Sequence, residues 1–294
     1  NRGTKGPGPI ILNASQCEYA VIRECALELG WQVCETKFSP HRDPLAKKER
    51  REKMHLSRHH YSDVPYACTH QGMCNRLWNV MWHDHGNFEE HLKELQSFQF
   101  YSHLPGLSFC ARKAGLALLM SRMFQEAPKE FCFFPETWVL PTEMDDFRLE
   151  FSDNCGSDSV FIIKPNSGCQ GKGIFLTNKV EEVVELPGKS VAQRYLLNPL
   201  LIDGYKFDFR LYVLVTSVDP MRIFLFNDGL VRICTEVYQV PCAGNLHNVT
   251  MHLTNYSVNK ASSKFTSDHT GESGFKRSLK WFRRWLDEKG HDSA

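Results

Sequence analysis

The sequence predicts an α+β architecture rich in antiparallel sheet with flanking helices, preceded by a small α/β domain. Three observations carry this. Near the N-terminus, GPGPIILNASQCEYAVIRECALELGWQV passes from a short apolar run to an amphipathic segment stopped by Gly30, the pattern of a βα unit. In the middle, Ser159 to Ile163 and Gly173 to Leu176 are apolar runs flanking a glycine-rich loop, a strand–loop–strand. Further on, Asn227-Asp228-Gly229 sits between two apolar runs, a hairpin signal.

Length and composition bound the rest. A chain of 294 residues suggests roughly two domains. We expect an N-terminal α/β domain over 1–100, a central lobe carrying the glycine loop over 101–189, and a C-terminal lobe over 190–294. The 42% hydrophobic and 12% aromatic content can fill sizeable cores. A formal net charge of +1 gives no global attraction to nucleic acid or membrane. Lys37 to His60 is the exception: it is strongly basic and fits either a solvated insertion or a contact surface for an acidic partner. Eleven cysteines without a CxxC pair match neither a zinc pattern nor a disulfide framework, and they suit a reducing compartment. No apolar run approaches the ~20 residues of a membrane helix. Without a visible signal peptide, the sequons at Asn13, Asn248 and Asn255 carry no expectation of glycans. The chain opens on Asn1 and stops at Ala294, after a run in which Phe275, Leu279, Phe282 and Leu286 form an apolar helical face. We expect a fragment of a longer polypeptide.

Each element follows from its pattern. Ile10 to Leu12 is a strand, and Val21, Cys25 and Leu29 mark one face of the following helix. Arg76 to Asp84 resumes a strand pattern, and Phe88 to Phe100 fits a helix or a loop. Ser108 is a candidate N-cap, with Leu116, Leu119, Met120 and Met123 as the buried helix face and Pro128 as its end. FCFFPETWVLP reads as a strand. Ser159 to Ile163 suits a strand buried on both faces. Lys179 to Val184 is a short helix, Ser190 to Tyr195 a strand, and Phe207 to Ser217 a long one.

Chemistry concentrates in three stretches. In KPNSGCQGKGI, Lys164 to Ile174, the glycines fall as GxxGxG and a strand follows, which excludes a P-loop and a dinucleotide fingerprint. A loop offering N–H groups to phosphate, with Lys164 beside it, remains open, as does a plain tight turn. In YKFDFRLYVLV, alternation puts Lys206, Asp208 and Arg210 on one face and Phe207, Phe209, Leu211, Val213 and Val215 on the other, which is expected to be core. Tyr212 and Leu214 extend the charged face, suiting a cleft floor. There Arg210 is suited to a carboxylate or phosphate, with Asp208 to orient it. MHLTNYSVNK, Met251 to Lys260, fits a capped loop or a site, and its composition does not choose.

Taken together and in order, KPNSGCQGKGI, AQRYLLNPLLIDGYKFDFRLYVLV, FNDGLVRI and MHLTNYSVNK closely resemble the tubulin tyrosine ligase-like family, in its polyglutamylase branch; HLPGLSFCARK, Arg122-Met123 and FFPETWVLP match its upstream stretch. The resemblance is good over Tyr101 to Lys260 and loose before it. It implies an ATP-grasp-like fold, with ATP between two lobes under a glycine-loop lid. Lys164 would contact phosphate, Gln170 and Gly171 would lie in the lid, and Gln193, Arg194, Tyr195 and Leu196 would form the adenine hinge through backbone groups. Lys206, Phe207 and Asp208 would lie on the nucleoside side, Thr254 and Asn255 near the phosphates, and Lys113 would reach the phosphates. Arg232 would hold the incoming glutamate, helped by Tyr256 or Ser257 and by Lys276. Lys164 and Arg232 would be the catalytic pair. Gln170 resembles members that lengthen glutamate chains.

The implied activity is ATP-dependent ligation of glutamate to side-chain carboxylates of tubulin tails through an acyl phosphate. The implied partners are tubulin, microtubules and glutamate, without nucleic acid or membrane insertion. The implied location is the cytoplasm and cytoskeleton, at a ciliary or flagellar axoneme or basal body. Acidic tails would suit the basic stretch. The family's Mg²⁺ ligands, an Asp and a Glu-x-Asn, lie further downstream; this sequence contains no Glu-x-Asn, so no metal ligand is assigned here. Two alternatives stay open: an inactive nucleotide- or microtubule-binding module, and another amide ligase such as a tubulin glycylase.

Overall fold

The computed structural model describes residues 8–35, 78–84, 92–93, 95–153 and 159–291. The basic stretch Lys37 to His60, and part of the region expected as helix or loop over Phe88 to Phe100, lie outside them. The chain forms two compact units, Asn1–Pro105 and Gly106–Ala294.

In the first unit, strands β1 (Ile11–Gln16), β2 (Gln32–Cys34), β3 (Val80–His83) and β4 (Phe100–Tyr101) make a parallel sheet in the order β2-β1-β3-β4. Helix α1 (Ala20–Glu28) connects β1 to β2. Its buried side is Ala26, with Ile22 beside it, against Leu12, Ala14 and Cys17. This corrects the expected face, because Val21, Cys25 and Leu29 are exposed. The helix is turned by Arg23, whose Nη2 donates to the carbonyls of Ala14 (3.2 Å) and Cys17 (2.8 Å) at the end of β1. An arginine anchored there brings Ile22 and Ala26, four apart, onto the sheet.

The second unit opens with short α2 (Leu107–Cys110) and then α3 (Lys113–Glu126). Gly106 and Arg112 occupy their N-cap positions without a side-chain cap, so Ser108 is not a cap. Small residues, not the long ones expected, face inward from α3: Ala114 and Ala117 pack on Val139 and Val191, and Leu116 is exposed. Small side chains let the helix axis approach the sheet closely. Of the segment FCFFPETWVLP, expected as a strand, only Thr137–Leu140 is one (β5); the short α4 (Pro128–Phe131) ends at its first residue, and α5 (Met144–Asp153) follows.

Strands β6 (Phe161–Pro165), β7 (Phe175–Thr177) and β8 (Ser190–Arg194) join β5 in an antiparallel sheet ordered β5-β8-β6-β7, with α6 (Glu181–Val184) between β7 and β8. The apolar run Val160 to Ile163 is buried on both faces, as expected. Phe161 and Ile163 meet Phe147, Leu140 and Val183 on one side, and Val160 and Ile162 meet Leu176, Tyr195 and Leu253 on the other. Phe161 sits edge-on to Phe147 (5.1 Å) and Trp138 (5.8 Å).

A second antiparallel sheet is ordered β12-β11-β10-β9, from β9 (Leu201–Ile202), β10 (Tyr205–Val218), β11 (Met221–Ile233) and β12 (Lys276–Ser278). Helices α7 (Val249–His252) and α8 (Tyr256–Asn259) lie between β11 and β12, and α9 (Leu279–Glu288) closes the described chain. Ser278 caps α9 by accepting from the Trp281 amide (3.0 Å). The apolar face of α9 has its partner within the unit, since Phe282 packs on Ile202, Val231 and Ile233, with Phe275, Leu279 and Leu286 alongside.

Two expectations about β10 and β11 are overturned. The hairpin turn lies at Asp219-Pro220, not at Asn227-Asp228-Gly229, which runs inside β11. The register jumps there, Leu211 pairing Gly229 and Val213 pairing Leu225, so the Asn-Asp-Gly triplet makes a bulge. Gly229 is required because an added Cβ would fall 2.7 Å from the Arg210 carbonyl oxygen. Nor is the Phe207–Val215 face all core. Phe207 and Phe209 meet Phe282, whereas Val213 is 58% exposed. Leu214, expected on a cleft floor, is likewise exposed, and Tyr212 alone continues the cleft.

Candidate functional site

Three lysines in the second unit surround the glycine loop. Lys164 ends the buried run of β6, and its Nζ donates to Gln193 Oε1 (2.6 Å); Gln193 Nε2 in turn donates to Thr137 Oγ1 (2.8 Å). Lys113, at the start of α3, donates to the carbonyls of Pro165 (2.9 Å) and Gly168 (3.1 Å), holding the base of the loop. Asn166 accepts from the Ala114 amide (3.0 Å), tying the loop to the same helix start. Lys206 on β10 donates to the Tyr195 hydroxyl (2.7 Å) and lies over its ring (4.2 Å).

None of these lysines has a carboxylate in ion-pair distance among the described residues. Burial, helped by the Lys113 charge, lowers the Lys164 ammonium to about 8. Burial also lowers Lys206 to about 8, against partial support from Cys234 and Asp208 and with added repulsion from Lys164. Desolvated ammonium groups with further positive charge beside them fit a polyanion, which would supply the missing counter-charge.

The tip of the loop is drawn toward α8. Ser257 Oγ donates to the Gln170 carbonyl (2.5 Å). Gln170 is left-handed (φ 64°), as is Gly171 (φ 80°), where an added Cβ would lie 2.8 Å from Val258 Cγ2 and 3.3 Å from Asn255. Ser257 therefore holds the glycine loop and does not line the cavity described next, as its expected role with glutamate required.

That cavity, about 210 Å³, lies beside the lysines and is lined by Arg210, Tyr212, Arg232, Thr254, Tyr256 and Lys276, with Phe265 and Phe275 as apolar wall. Its lining includes three cations and no acidic side chain. Arg232 is clamped by Asp208 in a fork, Nε to Oδ1 at 2.7 Å and Nη2 to Oδ2 at 2.5 Å, and this pairing raises its already high pKa. Asp208 and Arg232 are register partners across β10 and β11, so the sheet builds the clamp. Asp208 thus orients Arg232, and not Arg210 as its place on the strand suggested.

The structure brings together Lys164, Gln170, Gly171, Lys206, Asp208, Arg232, Thr254, Asn255, Tyr256 and Lys276 around the loop and the cavity. It separates others. The Arg194 side chain is held by Glu136 (2.8 Å) and Glu150 and covers the Phe161 ring, and its amide donates to the Glu136 carbonyl (2.9 Å), so side chain and N–H are both engaged within the sheet. Phe207 packs on α9. Leu196 is exposed. Two residues escaped the sequence reading. Asn259, 1% exposed, ties Thr235 to the turn at Leu253 and Asn255 by accepting from the Thr235 amide (2.9 Å) and donating to both carbonyls (2.7 and 3.1 Å). His252 is equally buried behind Tyr195. Both lie in the MHLTNYSVNK stretch, whose many polar residues hid which of them point inward.

A polyphosphate nucleotide fits the half-buried lysines, which have no ion-paired carboxylate among the described residues. A metal ion does not find a ligand set here: among the described residues no group of three or more His, Cys, Asp or Glu side chains could hold one. No helix among them is long and apolar enough to cross a membrane.

The chain is 46% identical over 216 residues to tubulin polyglutamylase TTLL6 of Homo sapiens, an alignment covering 73% of this chain and 24% of the relative. It is 42% identical over 254 residues to tubulin polyglutamylase TTLL6 of Mus musculus, covering 84% and 30%. To a probable beta-tubulin polyglutamylase of Tetrahymena thermophila it is 41% identical over 218 residues, covering 73% and 18%. The chain therefore spans less than a third of each of these relatives. A family model, the tubulin-tyrosine ligase family, matches residues 89–294, which include every cation of the loop and cavity. This chain belongs to the tubulin-tyrosine ligase family.

Proposed function

We propose that this chain carries the nucleotide and amino-acid sites of an ATP-dependent tubulin polyglutamylase with an ATP-grasp-like organisation. The observation that carries the reading is the adjacency of two kinds of cationic site: buried lysines without counter-charge beside the glycine loop, and a cavity ringed by Arg210, Arg232 and Lys276. The first suits ATP phosphates. The second suits the carboxylates of free glutamate, and Arg232 is held in a fixed fork geometry for one of them. In this reading ATP activates a tubulin-tail carboxylate as an acyl phosphate, and the glutamate amine displaces phosphate to form an amide. The lid, with Gln170 at its tip, covers the reacting groups; the Gln170 resemblance favours chain elongation. The sheet of β5 to β8 with its glycine loop and the sheet of β9 to β12 act as the two lobes, which moves the expected boundary from 189/190 to beyond β8. The location that follows is the cytoskeleton, including cilia.

The test is incubation of the full-length protein with ATP, labelled glutamate and microtubules. Label on tubulin tails that depends on ATP supports the reading. Label on a small peptide but none on tubulin sinks it in favour of another amide ligase, and glycine incorporation in place of glutamate points to a glycylase.

A further inference from the structure

We propose that His252 is a positioning residue for Lys206, acting through the Tyr195 hydroxyl. It deepens the reading of Lys206 as a nucleotide-side cation and rests on that reading for its functional consequence. Lys206 Nζ is 2.7 Å from Tyr195 Oη, Tyr195 Oη is 3.1 Å from His252 Nδ1, and His252 Nε2 is 3.2 Å from the Asn245 carbonyl. The two ends fix the direction of every bond. An ammonium can only donate, so the Tyr195 oxygen accepts from Lys206. A carbonyl can only accept, so His252 Nε2 carries the proton and Nδ1 is the acceptor. The Tyr195 proton is then left to point at Nδ1, and the chain runs Lys206 to Tyr195 to His252 to Asn245 without a break.

The surroundings hold this arrangement. His252 is 1% exposed, and its ring stands edge-on to both Tyr195 (5.6 Å) and Tyr238 (6.0 Å). Burial lowers His252 and raises the Tyr195 phenol, so the neutral ring and the neutral hydroxyl persist through the ordinary pH range. The Tyr238 hydroxyl donates to the Leu197 carbonyl (2.6 Å) and also interacts with the Tyr195 hydroxyl, so its oxygen is the second acceptor near the Tyr195 proton. Cys234, Asp208 and Lys164 are the remaining groups that Lys206 senses. A polarised chain strengthens each of its bonds. Its role is to spend one Lys206 proton on Tyr195 and leave the other two for the nucleotide.

The experiment uses the full chain and two readouts: the ATP dissociation constant by calorimetry, and the rate at which an amine-reactive ester labels Lys206, followed by peptide mass spectrometry. His252→Leu removes the acceptor, and Tyr195→Phe removes the middle link. Each is expected to weaken ATP about fivefold, the loss of one hydrogen bond, and to speed Lys206 labelling several-fold. His252→Asn places an oxygen near the Nδ1 position and restores both readouts to within about twofold, while Tyr238→Phe, which removes the other hydroxyl beside Tyr195, changes both less than His252→Leu does. The His252→Leu effect vanishes in the Tyr195→Phe background, a test that holds even where His252→Leu lowers stability. Additive effects, or unchanged labelling in Tyr195→Phe, overturn the proposal. Wild-type protein that fails to bind ATP while labelling still responds overturns the nucleotide reading and leaves the relay standing.

Discussion

Nucleotide binding should take up protons at pH 8, and the amount follows from the two buried lysines. Lys164 and Lys206 are each lowered to about 8 by burial. At pH 8 each is therefore about half protonated in the free protein. A triphosphate seated between them supplies the missing counter-charge and favours the charged form of both. Complete protonation on binding then consumes about one proton in total, half from each site. At pH 6.5 both lysines are already almost fully charged, and uptake falls to less than about 0.1 proton. The phosphates do not confuse the reading at pH 8, because their last ionisation lies near 6. Calorimetry in buffers of different ionisation enthalpy measures the uptake directly. Lys206→Met should leave about half of it. Zero uptake at pH 8 with tight binding would refute the assignment of these lysines to the phosphates. The free protein carries the complementary signature. The folded state sheds these protons before the unfolded chain does, near 10.4. The cost of burying two ammonium groups is thus fully present below pH 8 and is relieved as pH rises toward 10, so these sites make the ligand-free protein more stable with rising pH across that window.

Other consequences are as concrete. Asp208→Asn halves the fork on Arg232 and should lower the rate of glutamate incorporation by about tenfold; melting should report a loss of about 2 kcal/mol or less, since the pair is partly exposed. Gly171→Ala forces a Cβ to 2.8 Å from Val258 at φ 80°. It should cost about 1–2 kcal/mol in lid closure, seen as weaker ATP binding in titration with the thermal midpoint little changed. Phe161→Ala empties the centre of the core beneath β6 and should destabilise the second unit by about 3–5 kcal/mol in urea unfolding. Glu136→Gln, on the partly exposed Arg194 pair, should change stability by less than about 1 kcal/mol in the same assay.

The glycine loop, Lys164 and the charged face of β10 were legible because they depend on short-range rules: a buried apolar run, a loop rich in glycine, and alternation along a strand. The clamp between Asp208 and Arg232 was not, and the reason is a turn. Placing the hairpin at Asn227-Asp228-Gly229 pairs Asp208 with residues far beyond Arg232. Placing it at Asp219-Pro220 makes the two residues partners. Asp-Gly is a strong turn signal in isolation, but here the glycine serves a close approach to the Arg210 carbonyl within a bulge. A similar competition turned α1, where a single long-range anchor from Arg23 decided a face that local periodicity placed one residue off. His252 and Asn259 were hidden for another reason. Loop composition cannot distinguish a polar side chain turned to solvent from one buried with all its hydrogen bonds made; that depends on which neighbours the fold supplies.

The clamp also bears on which amino acid the cavity would accept. Three cations line it, but Asp208 offsets the charge of Arg232 and leaves it as a rigid, nearly neutral donor fork. The uncompensated charge is then that of Arg210 and Lys276, about two positive charges in a partly enclosed space. Free glutamate brings two carboxylates to the cavity and one amine that must point outward to react. Glycine brings one carboxylate and leaves one of these exposed cations without a partner, a milder form of the cost by which polar sites reject smaller analogues. On the proposed function, Arg210 and Lys276 rather than Arg232 would set the preference between the two. Replacing Arg210 with Met should narrow the preference for glutamate over glycine in a competition assay by about tenfold or more. Replacing Arg232 should lower both rates alike, because it removes a fork that either amino acid's carboxylate would use. The opposite pattern, selectivity lost with Arg232 and kept without Arg210, would show that Asp208 releases its partner when substrate arrives.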